Sequence, residues 1–140
     1  MKKLKIYTSF VSPITLKEFC DKNILPIFII RSIKNSNLIG KFDGTAIHFR
    51  DLAPSSELFR RRRDGFIGFD EFSKEYIIEI SQINIPEILD KLEYLANLSN
   101  TDKVVLMGYG TDSTKCHRSV LSEILNKSGL LEHKVTEIVL

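Results

Sequence analysis

Apolar residues along this chain fall into two kinds of pattern. At Ile27-Phe28-Ile29-Ile30 and at Val104-Val105-Leu106-Met107 they are contiguous. Runs of that length suit strands covered on both faces, as in a parallel sheet. They predict strands over Leu25 to Arg31 and Lys103 to Tyr109. Lys3 to Ser9, with Leu4, Ile6 and Tyr7, reads as a first strand, Ala46 to Arg50 as a short one, and Val135 to Leu140 as a closing one. Elsewhere the apolar positions recur at helical spacing. Leu16, Phe19 and Cys20 share one face of a helix that Asn23 ends. Its start is signalled by Ser12-Pro13, with Thr15 and Glu18 as a competing capping box. Pro54 and Ser55 open a helix that holds Arg60 to Arg63 and stops at Asp64-Gly65. Phe69, Phe72, Tyr76 and Ile80 mark a helix over Asp70 to Ser81. Another begins at Asn84 with Ile85, Ile88, Leu89, Leu92 and Leu95 inward. A last one buries Val120, Leu121, Ile124 and Leu125 and stops at Gly129. Lys34 to Gly44 is polar and reads as a loop.

Strands alternating with helices predict an α/β fold: a three-layer sandwich with a mostly parallel central sheet of about five strands. The chain has 140 residues, the size of one ordinary domain, and no repeat or linker interrupts it, so residues 1–140 are expected to form a single unit. Composition narrows this only slightly. With 43% hydrophobic and 27% charged residues, collagen-like and disordered classes are excluded. Two cysteines far apart make no disulfide framework, and no signal-peptide stretch or membrane-length apolar run is present. The expected compartment is the cytoplasm, with both thiols reduced and no membrane partner. A net charge of +2 is too mild to imply nucleic acid by its sum alone.

Chemistry concentrates after the fourth strand, in the turn Tyr109 to Lys115 and the helix start Cys116-His117-Arg118. Ligands of open α/β sheets bind beyond the carboxyl ends of the strands. The first-turn amides of a helix lack intrahelical partners and attract anions. A thiol there has its pKa lowered, a histidine can move a proton near neutral pH, and an arginine can grip phosphate bidentately. Cys116 and His117 are therefore the catalytic candidates, and Arg118, Arg31, Ser55, Lys115 and Tyr109 the ligand-binding ones. The packing alternative has Cys116 as a small core residue, His117 at the surface and Arg118 paired with Asp112 or Glu123. Cysteine phosphatases need an arginine six residues after the nucleophile, and Ser122 stands there. No nucleophile elbow, phosphate loop or metal-ligand spacing occurs, so no metal and no cofactor are expected.

Three pieces of the chain resemble the bacterial and phage proteins of domain of unknown function 488, the YeaO-like group. The first is the apolar strand ending in Arg31, where the family usually shows Asp-Val-Arg; its aspartate is missing here. The second is Asp51-Leu52-Ala53-Pro54-Ser55-Ser56-Glu57-Leu58 with the aromatic helix Phe69 to Tyr76. The third is Val104 to Met107 followed by Cys116-His117-Arg118-Ser119-Val120-Leu121. The resemblance implies an α/β fold and a shared pocket, and it carries no established activity. Residues and resemblance together lead to a phosphate- or nucleotide-binding domain, with a hydrolytic branch, whose cleft joins Arg31, Ser55 and Arg118 above Cys116 and His117. The first alternative is a thiol enzyme using Cys116 as nucleophile. The second is a nucleic-acid-binding protein using Arg60 to Arg63, although consecutive helical residues point in different directions.

Overall fold

The two contiguous apolar runs become neighbouring strands in the middle of a sheet. In the computed structural model, which describes residues 1–31 and 47–138, β2 (Leu25–Phe28) pairs in parallel with β4 (Lys103–Gly108), from Leu25 opposite Val104 to Phe28 opposite Met107. On its other side β4 pairs with β1 (Lys5–Phe10), from Lys5 opposite Lys103 to Phe10 opposite Gly108. Two-residue strands close the edges, β3 (Ile47–His48) beside β2 and β5 (Thr136–Glu137) beside β1. All pairings are parallel, in the order β3-β2-β4-β1-β5. The predicted strands over Ala46 to Arg50 and Val135 to Leu140 are thus shorter than their patterns among the described residues. Arg50 already belongs to a 3-10 turn, Arg50–Leu52. Val135 donates its amide to the Asn126 side chain rather than to a neighbouring strand. The predicted loop over Lys34 to Gly44 lies outside the described residues.

Among the described residues five helices cover the sheet: α1 (Pro13–Asp21), α2 (Ser56–Arg63), α3 (Phe69–Ser81), α4 (Ile85–Leu98) and α5 (His117–Lys127). Alternation along each strand divides the core between two faces. Leu25, Ile27, Val104 and Leu106 pack with Leu58, Tyr76, Leu89, Leu92 and Leu121, from α2 to α5. Phe28, Ile30, Val105 and Met107 pack with Leu16 and Phe19 of α1. The result is a three-layer α/β sandwich. Chain direction explains the split. From β1 the chain moves one way along the sheet to β2, with α1 between; from β3 to β4 and from β4 to β5 it moves the other way. Right-handed crossovers in opposite directions place their helices on opposite faces.

Local signals set the helix ends. Pro13 fixes the first helical turn of α1, and the capping box closes between Ser12 and Thr15, one turn earlier than the competing Thr15–Glu18 reading. Thr15 also donates to the Phe10 carbonyl, so it ties the helix to the end of β1, while Glu18 is left to pair with Lys22 at the surface. Asn23, at φ 58°, ends α1 in the left-handed conformation that asparagine tolerates. Ser55 caps α2 and Asn84 caps α4. No helix among the described residues is long and apolar enough to cross a membrane.

Candidate active site

At the carboxyl ends of β2 and β4 lies a cleft of about 150 Å³. Its wall is formed by Ile30 and Arg31 after β2, Pro54 before α2, Phe59 and Arg62 on α2, and Phe72 on α3. Tyr109, Gly110 and Lys115 come from the turn after β4, and Cys116 and His117 from the start of α5. This is where an open parallel sheet is expected to receive a ligand.

Cys116 is the N-cap of α5 and is 7% exposed. Its sulfur fits because β4 ends in glycine. A Cβ on Gly108 would stand 2.9 Å from Cys116 Sγ and 3.4 Å from His117 Cε1, and one on Gly110 would stand 3.3 Å from Cys116 Cβ. Glycine is needed at position 108 for space rather than for an unusual backbone angle. Gly108→Ala is expected to push the sulfur off its partners. It should slow alkylation of Cys116 at pH 7 about tenfold and cost about 1–3 kcal/mol, the usual penalty for overpacking. Rate and urea midpoint, measured on the same sample, check both.

His117 is 9% exposed and buried beside the thiol, not at the surface. Its Nε2 hydrogen-bonds the Ile29 carbonyl, which can only accept, so Nε2 carries the proton. That leaves Nδ1 as the basic nitrogen, and Nδ1 is the atom facing Cys116 Sγ, at 3.7 Å. Tyr76 fixes the ring from the side, edge-on at 5.5 Å between centroids and 78° between planes. The Tyr76 hydroxyl donates to the Leu52 carbonyl at 2.7 Å. Burial, with the charges of Cys116 and Glu79 added, holds that phenol well above its ordinary value, so it stays a donor.

Arg118 is fully buried, with a side-chain exposure of 0%. Its Nε and Nη2 donate to the Glu137 carboxylate of β5 at 3.0 and 3.1 Å, and Nη1 donates to the Gly110 carbonyl. Glu137 also accepts from the Thr8 hydroxyl at 2.7 Å. The guanidinium therefore stands behind the thiol and does not line the cleft. Its partner is neither Asp112, which caps the turn at Thr114, nor Glu123, which pairs with Lys127. Burial pushes the Cys116 thiol up, but the His117 ring, the Arg118 amide and the Arg118 guanidinium together outweigh it and bring the thiol down to about 7.

The other candidates divide. Arg31, Lys115 and Tyr109 line the cleft with Cys116 and His117. Arg31 is anchored by two hydrogen bonds to the Pro54 carbonyl, at 3.2 and 3.1 Å. Ser55 lies outside the cleft wall: its hydroxyl caps α2 and donates to Glu79, whose carboxylate also takes the Ser55 amide at 2.8 Å. The arginine run fans out around α2. Arg61 pairs with Glu75, Arg63 pairs with Asp64 and lies over Phe59, and Arg62 faces the cleft. Sequence reasoning placed Arg62 only in the arginine run of the nucleic-acid alternative, and it missed the carbonyl of Ile29, Glu137 and Tyr76. Arg62 had a signal, because it lies one turn beyond the buried anchor Leu58. Gly108-Tyr109-Gly110 had another, glycines flanking a strand end where something must approach closely. Among the described residues no three His, Cys, Asp or Glu side chains gather as a metal site.

The family model DUF488-N3a, described as the active DUF488-N3 subclade, matches the chain over residues 28–129, a span that runs from the end of β2 to the stop of α5. Neither the curated proteins nor the solved structures give a match.

Proposed function

We propose that this chain, which belongs to the DUF488-N3a family, is a thiol-dependent enzyme with Cys116 as nucleophile and His117 as its acid–base partner. The observation that carries this reading is the His117 ring itself. One nitrogen is committed to the Ile29 carbonyl and the other faces Sγ, which is the arrangement a thiol needs to give up its proton to a neighbour. The step follows from those roles. His117 Nδ1 holds the thiol proton while the sulfur lone pair forms a bond to an electrophilic carbon. The bond from that carbon to the leaving group breaks, and Nδ1 passes its proton to the departing atom. Water then attacks the carbon, loses a proton to Nδ1, and the carbon–sulfur bond breaks to restore the thiolate. Arg118, buried and neutralised by Glu137, supports the anionic sulfur through its amide and its guanidinium. It has no free face for a ligand, which favours the thiol reading over one centred on an Arg118 phosphate grip.

The test is the pH profile of alkylation by iodoacetamide in a Cys20→Ser background, where Cys116 is the remaining thiol. The rate is expected to rise with pH through a midpoint near 7 and to level off above pH 8. A midpoint at the ~8.5 of a free thiol, or a residue that reacts only once the protein is unfolded, would remove the proposal.

A further inference from the structure

Among the described residues the cleft wall holds three cationic side chains, Arg31, Arg62 and Lys115, and no carboxylate. They come from three separate parts of the fold, the end of β2, α2 and the turn before α5, and they line the same cleft as the thiol. Among the described residues none of the three forms an ion pair with a carboxylate. Arg31 spends two donors on a neutral carbonyl, which orients the guanidinium without cancelling its charge. Among the described residues Arg62 forms no ion pair, whereas Arg61 and Arg63, its neighbours on α2, each have a carboxylate. Lys115 forms none either, although the Asp112 carboxylate, outside the cleft wall, is near enough to feel its charge. Arg31 and Arg62 are half-buried and Lys115 is exposed, and like charges gathered in one cleft repel one another unless an anion joins them.

We infer that Arg31, Arg62 and Lys115 form the phosphate-binding subsite of this enzyme, and that its substrate is a phosphorylated molecule whose reacting end is compact and bears an electrophilic carbon. This rests on the thiol reading for the carbon, and on the cleft alone for the phosphate. Charge count selects the dianion. The Cys116–His117 pair is neutral while it keeps both its protons and has one negative charge after losing one, so the described residues of the wall carry an excess of two or three positive charges. A carboxylate would leave most of that unbalanced, and a phosphate monoester matches it. Two guanidinium groups also suit the three equivalent oxygens of a phosphate. Size selects a compact reacting end. The cleft is open to solvent on one side, and its volume of about 150 Å³ takes a group of roughly benzene size, which sets the size of the reacting end of the substrate. The apolar part of the substrate meets Ile30, Phe59 and Phe72, apolar side chains of the same wall.

Two alkylating reagents of nearly equal size test this in the Cys20→Ser background, iodoacetate as the anion and iodoacetamide as the neutral control. The ratio of their rates at Cys116 is expected to exceed that of a free thiol about tenfold, and Arg62→Gln is expected to lower it about fivefold. Inorganic phosphate should protect Cys116 from both reagents, and acetate at equal ionic strength should not. A ratio equal to that of a free thiol, unchanged by Arg62→Gln, overturns the subsite and leaves the thiol reading standing. If neither reagent reacts with the native protein, the thiol reading falls, and thermal melting decides the subsite. A phosphate-dependent rise in melting temperature that Arg62→Gln abolishes supports it. No rise with phosphate, or one that survives the substitution, overturns it.

Discussion

Replacing Arg118 by alanine is expected to destabilise the protein by about 3–5 kcal/mol, enough to leave little folded protein in a domain of ordinary stability. The size follows from what the guanidinium does. It is fully buried, donates to the Glu137 carboxylate through Nε and Nη2 and to the Gly110 carbonyl through Nη1, and lies between α5, β5 and the end of β4. Truncation leaves the Glu137 carboxylate without its counter-charge, with only Thr8 as a partner, and opens a cavity beside Cys116. Urea unfolding of the wild type and the variant measures the loss. Arg118→Met combined with Glu137→Gln should recover most of it, because both charges go and the volume is nearly kept. A double variant as unstable as Arg118→Ala alone would mean that the pair is not the source of the effect.

His117→Phe carries the second large effect. The ring stays to pack against Tyr76, but Nδ1 and the proton on Nε2 are gone. Without the imidazole, burial of Cys116 is opposed only by Arg118, and the thiol returns toward the ordinary value of 9.0. At pH 7 its thiolate fraction falls from about one half to about 1%, a loss of roughly fiftyfold. A more basic thiolate is also a better nucleophile, by about eightfold over two pKa units. Alkylation of Cys116 at pH 7 is therefore expected to slow only about sixfold, whereas catalysis, which also loses its proton donor, should fall about 10²–10⁴-fold. The sign reverses at high pH. Above pH 9.5 both thiols are ionised and the variant should be alkylated faster than the wild type. A variant slower at every pH would show that His117 mainly opens the way to the sulfur and does little to its ionisation. The freed Ile29 carbonyl adds a stability cost of about 1–3 kcal/mol, readable in the same urea experiment.

Much of the scaffold was legible because its signals are local. Contiguous Ile27 to Ile30 and Val104 to Met107 need cover on both sides whatever the rest of the chain does. Ser12-Pro13, Ser55, Asn84 and Gly129 act within one helical turn. The thiol, the imidazole and the helix start were legible for the same reason, since Cys116 and His117 are adjacent in sequence. The limits lie where a side chain's direction depends on remote parts of the chain. Arg118 sits at a helix start, where an arginine can reach outward to a ligand or inward to the sheet. It turns inward because Glu137, 19 residues later, is brought beside Thr8 by the β1–β5 pairing. No spacing rule announces that contact. Ser55 precedes a helix at the right end of the sheet, yet Glu79 from α3 claims its hydroxyl. In the arginine run, each residue turns about 100° from the last, so one of the four faces the cleft, and only the burial of Leu58 says which.

The position of Glu137 sets a time constraint on the whole site. It is held by the shortest kind of strand in the sheet, two residues in register with β1 and the Ile138 amide on the Thr8 carbonyl. Edge segments open more readily than strands inside a sheet, but an opening here has to break the Arg118 and Thr8 contacts of Glu137 and the Ser9 contact of the Ile138 carbonyl together. The thiol keeps its electrostatic setting for as long as that edge stays closed.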